Sequence, residues 1–272
     1  MTFTSDPHPA RAGVVYLVGA GPGDPGLLTV RAAELLAGAS AVFHDHLVSA
    51  AVLARCNPAA RVVDVGKIGH GARTAQADID RQLIDAARAQ HAVVRLKGGD
   101  PLLFGRGAEE ALALEAAGVP FEIVPGVSSA LAVPAYAGIP VTARGHAASV
   151  AIVTGHSLAG GPAAIPIADT IVVLMGVANA AVIRDQLLAT GLEGDTPAAV
   201  VEWGTCARQR VTTTTLGELP LAIARERVGA PATIVIGEVV RLRHRLDWLS
   251  RRVTGVHNPV PAASSHDIFV AL

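Results

Sequence analysis

The 272-residue chain is short of several things, and each shortage excludes something. It has two cysteines, Cys56 and Cys206, too few for a disulfide framework or a structural zinc site. Aromatic residues make up 3% and charged residues 17%, with a formal net charge of -1, so there is no basic excess of the kind that marks a nucleic-acid binder. No apolar run reaches the ~18 residues of a membrane helix. The richest stretch, 171–183, is interrupted by Gly176 and Asn179. Residues 1–12 carry Asp6 and two prolines but no apolar segment, so they do not read as a secretory signal, and a cytoplasmic location is expected. Lysine is the scarcest cation: of 22 cationic residues only Lys67 and Lys97 are lysines. Lysine can give up a proton where arginine cannot, which makes both candidates for chemistry. Chance survival in an arginine-biased composition is the plainer alternative.

What is present is core-forming material. Hydrophobic residues make up 51%, which rules out an intrinsically disordered chain. Short apolar runs at 14–20, 41–43, 62–65, 92–96 and 119–124 predict strands. Helical periodicity at 27–36, 75–90 and 107–117 separates them. Strands alternating with helices predict a parallel sheet covered on both faces. After a linker at 143–148 the pattern restarts, with strands at 149–154, 170–175, 198–202 and 233–239 and helices at 177–189 and 216–227. An exposed antiparallel strand is expected at 209–215, so the second sheet reads as mixed. A basic helix over 241–252 is expected to dock on the core, and the Pro-, Ser- and Ala-rich tail from 254 to be poorly ordered. The expected division is a disordered tail 1–12, an N-terminal α/β domain 13–143, a C-terminal α/β domain 144–245, and a helix end with tail 246–272.

Three glycine-bearing loops follow strands in the first half. Gly21, Gly23 and Gly26 satisfy G-x-G-x-x-G, and Asp45 ends the next strand near the offset of a ribose-binding acid. A diphosphate, however, is held by backbone N–H groups, which Pro22 and Pro25 lack. The loop suits close approach by an uncharged or cationic adenosine ligand better; a plain tight turn is the structural alternative. The second loop, Lys97-Gly98-Gly99-Asp100-Pro101, leads into Phe104-Gly105-Arg106-Gly107, where Asp100 is a candidate carboxylate or a helix N-cap. The third is Pro125-Gly126-Val127-Ser128-Ser129. Together they point to one adenosine-type pocket at the carboxyl edge of a sheet.

These segments, with Asp45-His46-Leu47-Val48-Ser49, Val65-Gly66-Lys67, Gly138-Ile139-Pro140-Val141-Thr142, Val153-Thr154-Gly155-His156, Leu174-Met175-Gly176, Gly204-Thr205, Gln209-Arg210 and Val235-Ile236-Gly237, resemble the tetrapyrrole methylases over about residues 13–245. The resemblance implies a two-domain α/β fold, an N-terminal mostly parallel sheet plus a C-terminal mixed sheet with the cofactor cleft between them, usually as a homodimer. It implies transfer of two methyl groups from S-adenosylmethionine to uroporphyrinogen III, giving precorrin-2 and S-adenosylhomocysteine. Carried over by position, the cofactor contacts fall on Pro22, Gly98, Gly99, Asp100, Leu103, Ser128, Ser129, Met175 and Gly204. The proton acceptor falls on Asp45 and the proton donor on Lys67.

A sulfonium methyl is already activated, so no metal is expected. The substrate's carboxylates call for arginine, and Arg106, Arg144 and Arg210 are the candidates, each with a surface ion pair as its alternative. The chain departs from the family's usual residues at His44, Ile68, Ala143 and Ser128-Ser129; the serines keep small size and hydroxyl character, whereas the loss of cations at Ile68 and Ala143 bears on recognition of the substrate's carboxylates. Competing readings are a methylase of another corrinoid precursor, or of protein or RNA, a nicotinamide-dependent dehydrogenase and a non-catalytic binding module.

Overall fold

The computed structural model describes residues 9–66, 75–156 and 164–250. The first half runs β1 (Val15–Gly19), α1 (Val30–Gly38), β2 (Ala41–His44), α2 (Ala50–Leu53), β3 (Arg61–Asp64), α3 (Gln76–Arg88), β4 (Val93–Lys97), α4 (Gly107–Ala116), β5 (Phe121–Val124) and α5 (Ser129–Tyr136). Its five strands are all parallel, in the order β3-β2-β4-β1-β5. Strands β1 and β4 are buried throughout because helices cover both faces. Tyr16, Val18, Val94 and Leu96 pack with Leu35 and Leu36 of α1. On the other face Val15, Leu17 and Val93 pack with Ile79 and Leu83 of α3 and Leu114 of α4. With every strand parallel, all the carboxyl ends lie on one edge, and the glycine loops gather there.

The second half runs β6 (Val150–Thr154), β7 (Thr170–Leu174), α6 (Ala180–Ala189), β8 (Pro197–Glu202), β9 (Arg210–Thr215), α7 (Leu219–Arg225), β10 (Ala232–Ile236) and α8 (Arg243–Leu246). The order is β6-β7-β10-β8-β9, with β6 and β7 parallel and the other pairs antiparallel. The expected mixed sheet and its threonine-rich edge strand β9 are both present. One face packs against Ile183 and Leu187 of α6 and Leu219 of α7. The other packs against Ala130, Val133 and Ala137 in and just after α5, so that helix serves the second sheet although it follows the first in sequence.

Two expectations shift, and one helix is unexpected. The helix expected from 27 starts at Val30: Asp24 Oδ1 accepts the Gly26 N–H at 2.7 Å, a 3-10 turn fills Pro25–Leu27, and the Thr29 hydroxyl caps Ala32 N–H at 3.1 Å. Helix α5 is not visible in the sequence pattern, because Ala, Leu, Val and Pro134 leave it no polar stripe. The basic helix expected over 241–252 is interrupted: a 3-10 turn, Glu238–Leu242, leads into the single turn of α8, which stops where Asp247 leaves helical dihedrals, and residues 248–250 are helical again. It docks as expected: the Arg243 guanidinium donates to Ala137 O, and the Trp248 indole N–H to Ala135 O at 3.0 Å. Of the expected tail 1–12 and the expected helix end with tail 246–272, residues 1–8 and 251–272 lie outside the described residues.

Candidate active site

The three loops are fused by their backbones. Gly21 and Gly99 exchange hydrogen bonds of 3.2 and 2.8 Å, joining the first loop to the second. A Cβ on Gly126 would sit 2.3 Å from Gly99 O and 2.7 Å from Gly19 Cα, so only glycine allows the third loop to cross the other two. Asp100 completes the junction: its carboxylate accepts the Leu102 N–H at 2.8 Å and the Gly126 N–H at 3.1 Å. It therefore ties loop to loop rather than capping α4, whose N-cap position is Arg106. Gly98 differs from its neighbours, since a Cβ there would meet nothing within 4 Å. Its surface is open to a ligand.

Asp45 follows β2 and is fixed on both oxygens. The Arg95 Nη2 donates to Oδ1 at 2.5 Å, and the Gly98 N–H to Oδ2 at 3.3 Å. The Asp45 side chain is 33% exposed, whereas that of Arg95 is 3% exposed. Behind it, Glu110 of α4 accepts from Arg95 Nε and Lys97 Nζ, both at 3.0 Å. Arg95 and Lys97 share one face of β4 because they stand two residues apart. Burial, and then the neighbouring Arg95, push the Lys97 ammonium below the ordinary lysine range. At the next strand end His46 Nδ1 lies 3.0 Å from Asp64 Oδ2. Burial raises the Asp64 carboxyl, but the His46 ring and the Gly66 N–H outweigh it and hold that group below the usual carboxylate range.

The second sheet closes on the first loop through residues after β8. The Thr205 hydroxyl accepts the Asp24 N–H at 3.2 Å, and Tyr136 donates its O–H to Asp24 Oδ2 at 2.7 Å. Gly204 packs against Val133, where a Cβ would come within 2.4 Å. Leu103 joins the α5 side of the second core. Ser128 caps α5 by accepting the Ala130 N–H, and Ser129 opens that helix. Met175 follows β7 half-exposed, and Pro22 sits between the loop glycines. Of the seven non-glycine residues with positive φ among the described residues, Phe104, Arg106, Met175, Trp203 and Thr205 lie in the loops after β4, β7 and β8. Left-handed backbone at such residues is costly and concentrates at ligand sites.

The expected residues do not all meet. Pro22, Gly98, Gly99, Asp100, Ser128, Ser129 and Asp45 gather at the first sheet's edge, and Gly204 and Leu103 pack with α5 beside it. Lys67 lies outside the described residues, as does Ile68. Arg106 is engaged with Glu109 through Nε at 2.9 Å and Nη2 at 2.6 Å. Arg210 on β9 pairs with Glu202 at 2.6 Å. Arg144 is exposed beside the Ala143–Ala147 bridge and has no ion pair among the described residues. Sequence reading missed Arg95, Glu110, Tyr136 and Thr205. For Arg95 and Lys97 a signal existed: two cations at alternate positions in an apolar strand need a buried anion. Nothing local pointed to Tyr136 or Thr205.

Residues 14–220 match the family described as Tetrapyrrole (Corrin/Porphyrin) Methylases. The siroheme synthase of Pseudomonas fluorescens strain Pf0-1 is 48% identical over 242 residues, which is 87% of this chain and 52% of that protein. The chain thus spans about half the length of the curated relatives it matches. A crystal structure of uroporphyrin-III C-methyl transferase from Thermus thermophilus, complexed with S-adenyl homocysteine, is 43% identical with a TM-score of 0.72, covering 84% of this chain and 99% of that one. A cobalt precorrin-4 methyltransferase structure is 27% identical with a TM-score of 0.74, covering 84% of this chain and 96% of that one. With the fold, the fused loops and these matches in hand, the chain belongs to the tetrapyrrole methylases.

Proposed function

We propose that the chain is an S-adenosylmethionine-dependent C-methyltransferase that converts uroporphyrinogen III to precorrin-2 by methylating carbons 2 and 7, on the route to sirohaem or cobalamin. The observation that carries this reading is Asp45: a half-open carboxylate, oriented by Arg95, touching the N–H of the one loop glycine with free space over it. The residues fit the cofactor. Gly98 admits a ligand against the backbone, and Pro22 and Pro25 remove the N–H groups a diphosphate would need. Bound there, S-adenosylmethionine supplies an electrophilic methyl on a sulfonium.

The rest is the work of the chain's own groups. Pro22, Gly98, Gly99, Asp100, Leu103, Ser128, Ser129, Met175 and Gly204 form the cofactor's surroundings. A dry cleft favours a step that disperses positive charge, because the sulfonium loses more hydration there than the transition state does. Once the carbon is methylated the ring is cationic and must lose a proton, which Asp45 accepts, and Lys67 is the proton donor. Arg144 is available for a substrate carboxylate as it stands. Arg106 and Arg210 would have to exchange Glu109 and Glu202 for one. A homodimer and a cytoplasmic location belong to the same proposal. No described helix is long and apolar enough to cross a membrane.

Anaerobic incubation with uroporphyrinogen III and S-adenosylmethionine, followed by mass analysis, tests the reading. Two added methyls are expected. Methylation only of a later corrinoid precursor would favour that alternative. Thermal protection by NAD but not by S-adenosylhomocysteine would favour a dehydrogenase.

A further inference from the structure

We propose that Glu110 is a positioning residue for Asp45, acting through the guanidinium of Arg95. The inference rests on the reading of Asp45 as proton acceptor and adds a residue that touches neither substrate nor cofactor.

Glu110 is fully buried, and its donors converge on one oxygen. Arg95 Nε and Lys97 Nζ reach Oε1 at 3.0 Å, and Gln76 Nε2 reaches it at 3.3 Å. Among the described residues Oε2 has no hydrogen-bond partner. An apolar side chain would fill this place under α4 at less cost than an anion, so the fold alone does not call for a carboxylate. What the carboxylate accomplishes is geometric. Arg95 has its Nε side held by Glu110 and its Nη2 side bound to Asp45, while Nη1 reaches Leu96 O at 3.3 Å. A planar fork engaged at all three nitrogens cannot rotate, so Asp45 Oδ1 is spent on it and Oδ2 is presented beside Gly98.

The effect is also electrostatic. The cluster holds two cations, Arg95 and Lys97, and two carboxylates, Glu110 and Asp45. Without Glu110 both cations would face Asp45 alone and weaken it as a base. The other charged groups nearby are Asp80 on α3 and Arg106 and Glu109 at the start of α4, on the Glu110 side. On the Asp45 side they are His44, His46 and Asp64 at the ends of β2 and β3.

The test uses the whole chain and compares Glu110→Gln, Lys97→Met, their double variant and Asp45→Asn. It reads the pH profile of kcat/KM for uroporphyrinogen III, the Kd of S-adenosylhomocysteine, and Tm. Glu110→Gln is expected to lower kcat about tenfold or more. It should also move the acid limb to lower pH by about half a unit or more, with S-adenosylhomocysteine affinity within about threefold of wild type. Lys97→Met should move the limb the other way, and the double variant, which loses one charge of each sign, should return it. A limb that stays put in Glu110→Gln while kcat, Tm and affinity fall together overturns the inference. If Glu110→Gln does not fold, identical limbs in Lys97→Met and the double variant overturn it as well. Wild-type turnover in Asp45→Asn would instead remove the underlying reading of Asp45, an outcome distinct from failure at Glu110.

Discussion

On the face of the first sheet covered by α3 and α4, Arg95 and Lys97 have side-chain exposures of 3% and 2%, and the Glu110 between them is fully covered. The second sheet also buries a carboxylate, Glu202 at the end of β8, but its cation, Arg210, stands half in water with 50% exposure. Beneath α6 and α7 the rest of that layer is Val173, Val200, Ile234 and their apolar neighbours. The first cluster lies where water cannot screen it, and it ends on Asp45 at the loop edge. The Glu202 pair, which also accepts the Gly229 N–H at 2.9 Å, clips an edge strand to a neighbouring turn. Charge is kept dry where the geometry points to chemistry and left wet where it serves the fold.

The largest expected effect comes at the dry end. Asp45→Asn should cut turnover about 10²- to 10⁴-fold, the usual range for a positioned proton acceptor, with little change in the Kd of S-adenosylhomocysteine measured calorimetrically. Equal loss of turnover and affinity would erase the contrast. In the second sheet, Leu187→Ala empties a fully buried site on α6 and should cost about 2–5 kcal/mol in urea unfolding. Turnover per folded molecule should be unchanged, and a specific loss of turnover there would break the comparison.

Two glycines sharpen it at the loop edge. Gly126→Ala forces a methyl group onto backbone and should cost about 1–3 kcal/mol of stability along with cofactor affinity. Gly98→Ala meets open space, so stability should stay within about 0.5 kcal/mol. Cofactor affinity should nevertheless fall about tenfold, equivalent to about 1.4 kcal/mol, because the methyl occupies ligand space. Unchanged affinity in Gly98→Ala would remove Gly98 from the cofactor surface.

The smallest effect belongs to Glu202. Burial raises its carboxyl, but Arg210 and the Gly229 N–H hold it below the usual carboxylate range. The folded state then binds fewer protons than the unfolded state in mild acid. The stabilisation is present above the unfolded value of about 4.3 and is lost as pH falls through the lower folded value. Glu202→Gln should cost about 1 kcal/mol near neutrality and flatten the acid side of a Tm-against-pH curve. An acid limb as steep as wild type would assign acid sensitivity elsewhere, with Asp64 and Asp169 as the next carboxylates to test.

Much of the frame is legible in the residues themselves. Apolar runs of strand length, helical spacing between them and glycines at strand ends predict two α/β units with loops on one edge, because periodicity and glycine's freedom act within a few residues. Helix α5 escapes because it has no polar stripe, and the start of α1 shifts because Asp24 and Thr29 divide the turn between them. Asp45 was identifiable as a candidate from its place at a strand end. Its partners were not.

What the sequence by itself determined is the fold class, the placement of three glycine loops after strands, and prolines without N–H groups that count against a diphosphate in the first loop. Only the tertiary structure decided that β4 lies between β2 and β1, which brings Arg95 to Asp45 across 50 residues and to Glu110 across 15. It also brought Thr205 to Asp24 across 181 residues. Local pattern sets which segments extend or coil. Strand order and register set which distant side chains meet, and that depends on how the whole chain packs.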